Sequence, residues 1–218
     1  LTGVPRWVHA TVSGAGTAGG KAGTASGRVP AAPPLAYVAM TSPVPCRPGS
    51  GWVVPDRGQR VIQFVQGGSP AGAVLSSGGN VIITVQGTAG RTVVLQSMTV
   101  AVVRRAAPVK GIYLPAGCQG GLAPRHYALS LDSPAPRPVP QPGDITFPYT
   151  VSNDDPEQFI ITPEVTAHEV QWRLYLTWTS GASHGRLVLD DSGRPFITTS
   201  AAGARQFCNT LSDWEATC

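Results

Sequence analysis

The chain reads as an all-β protein, a β-sandwich of about ten short strands joined by long Gly/Pro-rich loops. Three observations predict it. The 26 glycines and 21 prolines among 218 residues disfavour long helices, because Pro removes a backbone donor and Gly costs backbone entropy. Runs of β-branched and aromatic residues recur at regular spacing, each bounded by Gly or Pro. Several of these runs alternate with period two, which presents one face of a strand to a core.

Taken in order, RWVHATV at 6–12 is a candidate first strand, followed by a linker composition over 13–34 whose small residues cannot build a core. LAYVAM (35–40), RVIQFVQ (60–66), NVIITVQG (80–87) and RTVVLQSMTVAVVRR (91–105) follow as strands. The last two are expected to form a hairpin through the short loop GTAGR at 87–91. Strict alternation in the second puts Val94, Gln96, Met98, Val100 and Val102 on one face, and Val93, Leu95, Ser97, Thr99 and Ala101 on the other, both half-buried. HYALSLD (126–132), ITFPYTV (145–151), QFIITPEVTA (158–167), VQWRLYLTWT (170–179), GRLVLDD (185–191) and PFITTS (195–200) continue the series. The cleanest alternation sets Trp172, Leu174, Leu176 and Trp178 against Gln171, Arg173, Tyr175, Thr177 and Thr179. SPAPRPVPQPG at 133–143 is a stiff, extended connection, and 202–216 is a candidate helix. The expected organisation is a flexible segment over 1–34, one sandwich over 35–200 and a C-terminal tail over 201–218, tied down by a disulfide.

Charge is uneven along the chain: residues 1–109 hold nine Lys and Arg against one acid, Asp56, and residues 110–218 hold seven against eleven. Such polarity suits an anionic envelope polymer, although a solvated surface is the simpler reading. The basic residues stand singly apart from Arg104–Arg105, so nucleic acid is not an expected partner. Cys46, Cys118, Cys208 and Cys218 lack metal-ligand spacing and read as two disulfides in an oxidising compartment. Cys208–Cys218 and Cys46–Cys118 are the preferred pairs among the three connectivities, with four free thiols as the alternative. No apolar run approaches the roughly 18 residues of a membrane span. No signal peptide is apparent, and a start at Leu1 rather than Met reads as a processed or excised segment.

Three patterns invite a chemical reading. SGASHG at 180–185 satisfies G-x-S-x-G through Gly181, Ser183 and Gly185, but a nucleophile elbow needs a helix after the serine and here a strand pattern follows. The expected structure is a hairpin loop in which Gly181 and Gly185 supply positive φ; Ser183 remains the nucleophile of the alternative hydrolase reading. SGAGTAGG matches G-x-G-x-x-G at Gly14, Gly16 and Gly19, yet prolines follow instead of a helix, and no acid occurs before Asp56. The acids Asp154, Asp155 and Glu157, and Asp190 with Asp191, lie in NDDPE and DDSGRP, where turn chemistry is favoured over paired glycosidase carboxylates. Asp154 and Asp155 are the candidate Ca²⁺ ligands.

The run FPYTVSNDDPEQFIITPEVTAHEVQWRLYLTWTSGASHGRLVLDDSGRPFITTS, with GRTVVLQSMTVAVVRR and the CQGG at 118–121, resembles the C-terminal part of an uncharacterised group of actinobacterial (Streptomyces-like) proteins. That group carries a PY-V-S-DPE, W-L-L-W and DD-G-PF-TT pattern, and the resemblance spans about residues 78–200. It implies an actinobacterial source and a soluble region often attached to a membrane or regulatory segment, with no established activity to carry over. Members often have cysteines just before the W-L-L-W strand; this chain has Ala167, His168, Glu169 and Val170 there, so no partner for Cys118 carries over.

Together these readings predict a non-catalytic extracytoplasmic or secreted module, binding or structural, at the cell envelope. It has no cofactor, no catalytic residue and no metal site beyond the Asp154–Asp155 candidate, and its partner is an anionic envelope polymer or another protein. The alternatives are a serine or carboxylate hydrolase and the sensor part of a larger membrane-anchored regulator.

Overall fold

The computed structural model describes residues 8–9, 33–43, 50–65, 69–88, 90–116, 124–210 and 213–217. The strands are β1 (Val8–His9), β2 (Leu35–Ser42), β3 (Gly51–Pro55), β4 (Val61–Gln63), β5 (Val74–Ser76), β6 (Asn80–Gly87), β7 (Val93–Ala106), β8 (Gly111–Pro115) and β9 (Arg125–Ser130). They continue with β10 (Val139–Pro140), β11 (Tyr149–Val151), β12 (Glu157–Glu164), β13 (Glu169–Ser180), β14 (Ser183–Leu189), β15 (Phe196–Thr199), β16 (Arg205–Gln206), β17 (Cys208–Asn209) and β18 (Asp213–Glu215). The described residues contain no helix, and the fold is an all-β sandwich.

A six-stranded sheet runs β1-β2-β6-β12-β9-β10, and a nine-stranded one runs β11-β7-β13-β15-β5-β3-β8-β16 with β14 also paired to β13. Their inner faces share one core. Tyr37, Ile83, Val85, Phe159 and Ile161 come from the first sheet, and Leu95, Trp172, Leu174, Leu176 and Leu187 from the second. Trp172 satisfies its buried N–H by donating to Thr198 Oγ1 at 3.1 Å, so this fully buried ring carries no unpaired donor.

Several expectations give way here. β6 and β7 are not a hairpin: β6 pairs with β2 and β12 in one sheet, while β7 pairs with β13 and β11 in the other. β6 and β7 lie in different sheets because β6 buries Val81, Ile83 and Val85, and β7 buries Val93, Leu95 and Met98, against each other's sheet rather than side by side. The faces of β7 also depart from strict alternation. Opposite β13, Thr177 pairs with Ser97 and Trp178 with Leu95, and Gln171 pairs with Arg104 and Trp172 with Val102, so Gln96 and Val103 are the extra residues of two bulges. Each bulge resets the alternation, and Leu95 and Met98 end on the same buried face.

The described residues within 202–216 contain three short strands and no helix. β16 adds to β8, and β17 and β18 form a three-stranded sheet with β4. Trp214 explains the choice: it is buried, packs edge-on against Phe64 at 4.1 Å and donates its N–H to Pro115 O at 3.0 Å. β3, β5 and β8 are strands that the sequence reading passed over. Among the described residues of the runs at 60–66 and 145–151, only 61–63 and 149–151 are strand. The loop 133–143 contributes β10 to the edge of the six-stranded sheet. Residues 13–32 of the linker, with Gly14, Gly16 and Gly19, lie outside the described residues.

Candidate binding face on the nine-stranded sheet

The hairpin β13–β14 closes through Gly181 and Ala182 between the paired Ser180 and Ser183. Gly181 has φ +58° and Ala182 does not adopt positive φ, the pattern of a two-residue turn with glycine first. Gly185 plays a different part from the one its sequence position suggests. Its φ is not positive; it lies within β14 opposite Trp178, where a Cβ would stand 2.7 Å from the indole Cζ2. The first glycine of G-x-S-x-G is there for backbone conformation, and the last makes room for a buried ring.

Ser183 is exposed and opens β14, so the stretch runs strand, turn, strand. His184 pairs with Thr179 and points to the opposite face from Ser183. His168 precedes the far end of β13, about 35 Å away along the extended strand. It pairs instead with Asp132 at 3.3 Å, and His126 stands 3.7 Å from Asp144 in the other sheet. No geometry at Ser183 brings a base to its hydroxyl among the described residues. Asp154 and Asp155 are exposed in a turn whose amides donate to Ser152 Oγ at 3.3 and 3.1 Å, and no group of three or more metal-ligating side chains gathers among the described residues. Cys208, in β17, is disulfide-bonded; Cys46, Cys118 and Cys218 lie outside the described residues.

The acid pair at 190–191 separates into two roles. Asp190 is buried and accepts from Tyr37 Oη at 3.0 Å, Gly193 N at 2.8 Å and Arg173 Nε at 3.2 Å, joining the two sheets through one carboxylate. Burial, then the Asp190 charge beside it, pushes the Tyr37 hydroxyl far above its ordinary value, so it stays a donor at any physiological pH. Asp191 closes the exposed turn to Arg194.

A set of residues with binding chemistry gathers on the outer face of β7, β13 and β14. Counting outward from the two-residue turn, Thr179 pairs with His184, Thr177 with Arg186 and Tyr175 with Val188. On the other side Thr177 meets Ser97 and Gln171 meets Arg104. The Arg186 guanidinium lies over the Tyr175 ring, 4.4 Å from its centroid. Ser97 and Thr177 share a hydrogen bond of 2.6 Å, and Gln96 donates to Thr179 at 2.9 Å, so the bulge residue braces the face it interrupts. None of the outward residues of β13 is buried, and no described element packs over them. Arg186 and Arg104 are exposed, with no acidic partner among the described residues, whereas Arg173 is taken up by Asp190. The face is therefore hydroxyl-rich and cationic, and carries the Tyr175 ring.

Compared with protein-family models, curated proteins and solved structures, the chain matches none. Function has to be argued from the site's own chemistry. The sequence did not single out this face, yet the information was present. A two-residue loop fixes the register, and register alone sets Arg186 opposite Thr177 and diagonal to Tyr175, within reach of a long side chain.

Proposed function

We propose that the chain is a non-catalytic extracytoplasmic binding module whose outer β7–β13–β14 face takes an anionic polymer of the cell envelope. The observation that carries this reading is Arg186, stacked on Tyr175 and without an acidic partner among the described residues. A guanidinium held by a ring keeps its N–H donors free for phosphate or carboxylate, and the surrounding Thr, Ser and Gln side chains suit the hydroxyls of a glycan. The strongly basic N-terminal half adds long-range attraction for such a polymer.

The disulfide at Cys208 supports an oxidising compartment. Within the proposal its partner is Cys218, three residues beyond Glu215, which stands opposite Cys208. Cys46–Cys118 is then the second pair, supported by Ser50 O accepting from Ala116 N at 3.0 Å in the adjoining segments. Peptide mapping without reduction distinguishes these pairs from the other two connectivities.

Binding is tested by titrating the protein with a polyanionic glycan, phosphate- or carboxylate-bearing, and with a neutral glycan of the same backbone. The expected result is selective binding of the anionic form that weakens as salt rises. Arg186→Gln is expected to lose affinity about tenfold, and Tyr175→Ala about as much, with unchanged melting temperatures. Equal affinity for the neutral glycan, or full binding by Arg186→Gln, would overturn the reading.

A further inference from the structure

The outer face of the six-stranded sheet has a different chemistry. Register sets Met40, Ile82 and Ile160 in one row across β2, β6 and β12, ending at His126 on β9. Val38 flanks the row on one side, and Ala128 and Val139 extend the apolar surface toward β10. Met40 is 55% exposed and Val139 57%, so these side chains stand in solvent rather than filling a core. The outward positions of β2, β6, β12 and β9 contain no Lys or Arg and a single carboxylate, Glu164, at the corner beside Ser130. Ile82 and Ile160 at the centre of the row are half-buried, and at one end of the face Thr162 donates to Asn80 Oδ1 at 2.9 Å, both buried.

We propose that this face is covered by the same face of a second copy of the chain, in a two-fold symmetric sheet-on-sheet dimer. A two-fold interface must complement itself, and a face whose centre carries no charge meets its own copy without like-charge repulsion. Size agrees. Three strands of eight residues and one of six, spaced about 4.8 Å apart and rising about 3.3 Å per residue, present about 475 Å² a side. The total of about 950 Å² falls in the range of weak, transient interfaces, which suits a dimer that forms only as concentration rises. A lipid surface is disfavoured, since it would call for Lys or Arg and interfacial Trp or Tyr, and the row offers neither. The dimer leaves the β7–β13–β14 faces outward on its two sides, so it stands independently of the polymer-binding proposal and presents two such faces to one polymer.

Sedimentation velocity of the full chain across the micromolar range tests it. The expected mass rises from one chain to two with concentration. Met40→Asp and Ile160→Asp are expected to hold it at one chain throughout; Met40 is exposed enough that its variant should keep the wild-type melting curve. Thr177→Asp, on the opposite sheet, is expected to lose polymer binding and keep the dimer, which separates the two proposals. A wild-type chain that stays single, a dimer that survives Met40→Asp, or a single chain that pellets with phospholipid vesicles would each overturn the inference.

Discussion

The smallest features with large consequences are a glycine and a carboxylate. Gly185 leaves the volume that the Trp178 ring occupies, and a methyl there would approach ring carbons at 2.7 and 2.9 Å. Both partners sit on paired strands and the ring is buried, so neither can give way easily. Gly185→Ala is expected to cost about 1–3 kcal/mol by overpacking, read as a fall in melting temperature of about 2–4 °C for each kcal/mol. Asp132 is a second case. Burial works against its charged form, but the Thr166 hydroxyl and amide and the His168 ring hold the carboxyl below its ordinary value of 3.8. A folded value below the unfolded one means stabilisation that is complete above the unfolded value and lost as pH falls through the folded one. The stability difference between wild type and Asp132→Asn, measured by denaturant titration, is expected to stay constant from neutrality to about pH 4 and to shrink below it. A difference unchanged at pH 2 would refute the assignment.

At the scale of elements, the bulges of β7 decide what the strand can do. Without the extra residue at Gln96, the alternation that turns Met98 and Val100 toward the core would turn Val93 and Leu95 outward. With it, one strand buries both segments and still carries Ser97 and Thr99 on the wet face opposite Thr177 and Tyr175. Deleting Gln96 is therefore expected to cost more than about 3 kcal/mol or abolish folding, while Gln96→Ala stays within about 0.5–1 kcal/mol, because it removes only an exposed hydrogen bond. Urea unfolding of the two variants checks this, and equal effects would show that the side chain, not the extra residue, matters. The arch between β6 and β7 follows the same logic of burial. Gly87 N donates to Ser152 O and Thr88 N to Pro34 O, so the chain leaves one sheet by bonding to neighbouring loops before entering the other.

For the whole molecule, the two outer faces divide the surface by chemistry. The nine-stranded sheet shows hydroxyls, Tyr175 and arginines without an acidic partner among the described residues; the six-stranded sheet shows an apolar row almost free of charge. One core lies between them, tied across by the Tyr37–Asp190–Arg173 network, so substitutions on one outer face should leave the other intact. The paired expectations for Thr177→Asp and Met40→Asp rest on that separation.

Much of this was legible before any coordinates. Gly and Pro content with period-two runs determined the all-β sandwich, and the Trp172 to Trp178 alternation marked the buried face of β13. The stretch SGASHG marked the β13–β14 hairpin, because strand patterns flank it on both sides, while the structure set its turn at Gly181–Ala182 and put Gly185 inside β14. The partnership of β6 and β7, the strands at 205–215 and the faces of β7 were decided by tertiary structure alone. A short loop is compatible with a hairpin or an arch, and a bulge leaves no mark in composition. A tail of low strand propensity becomes strand only when Trp214 finds Phe64 and Pro115. Local pattern fixes which residues are extended and which face is apolar, since both depend on near neighbours. Which strand lies beside which depends on where distant apolar faces can be buried together, and that exists only in the folded chain.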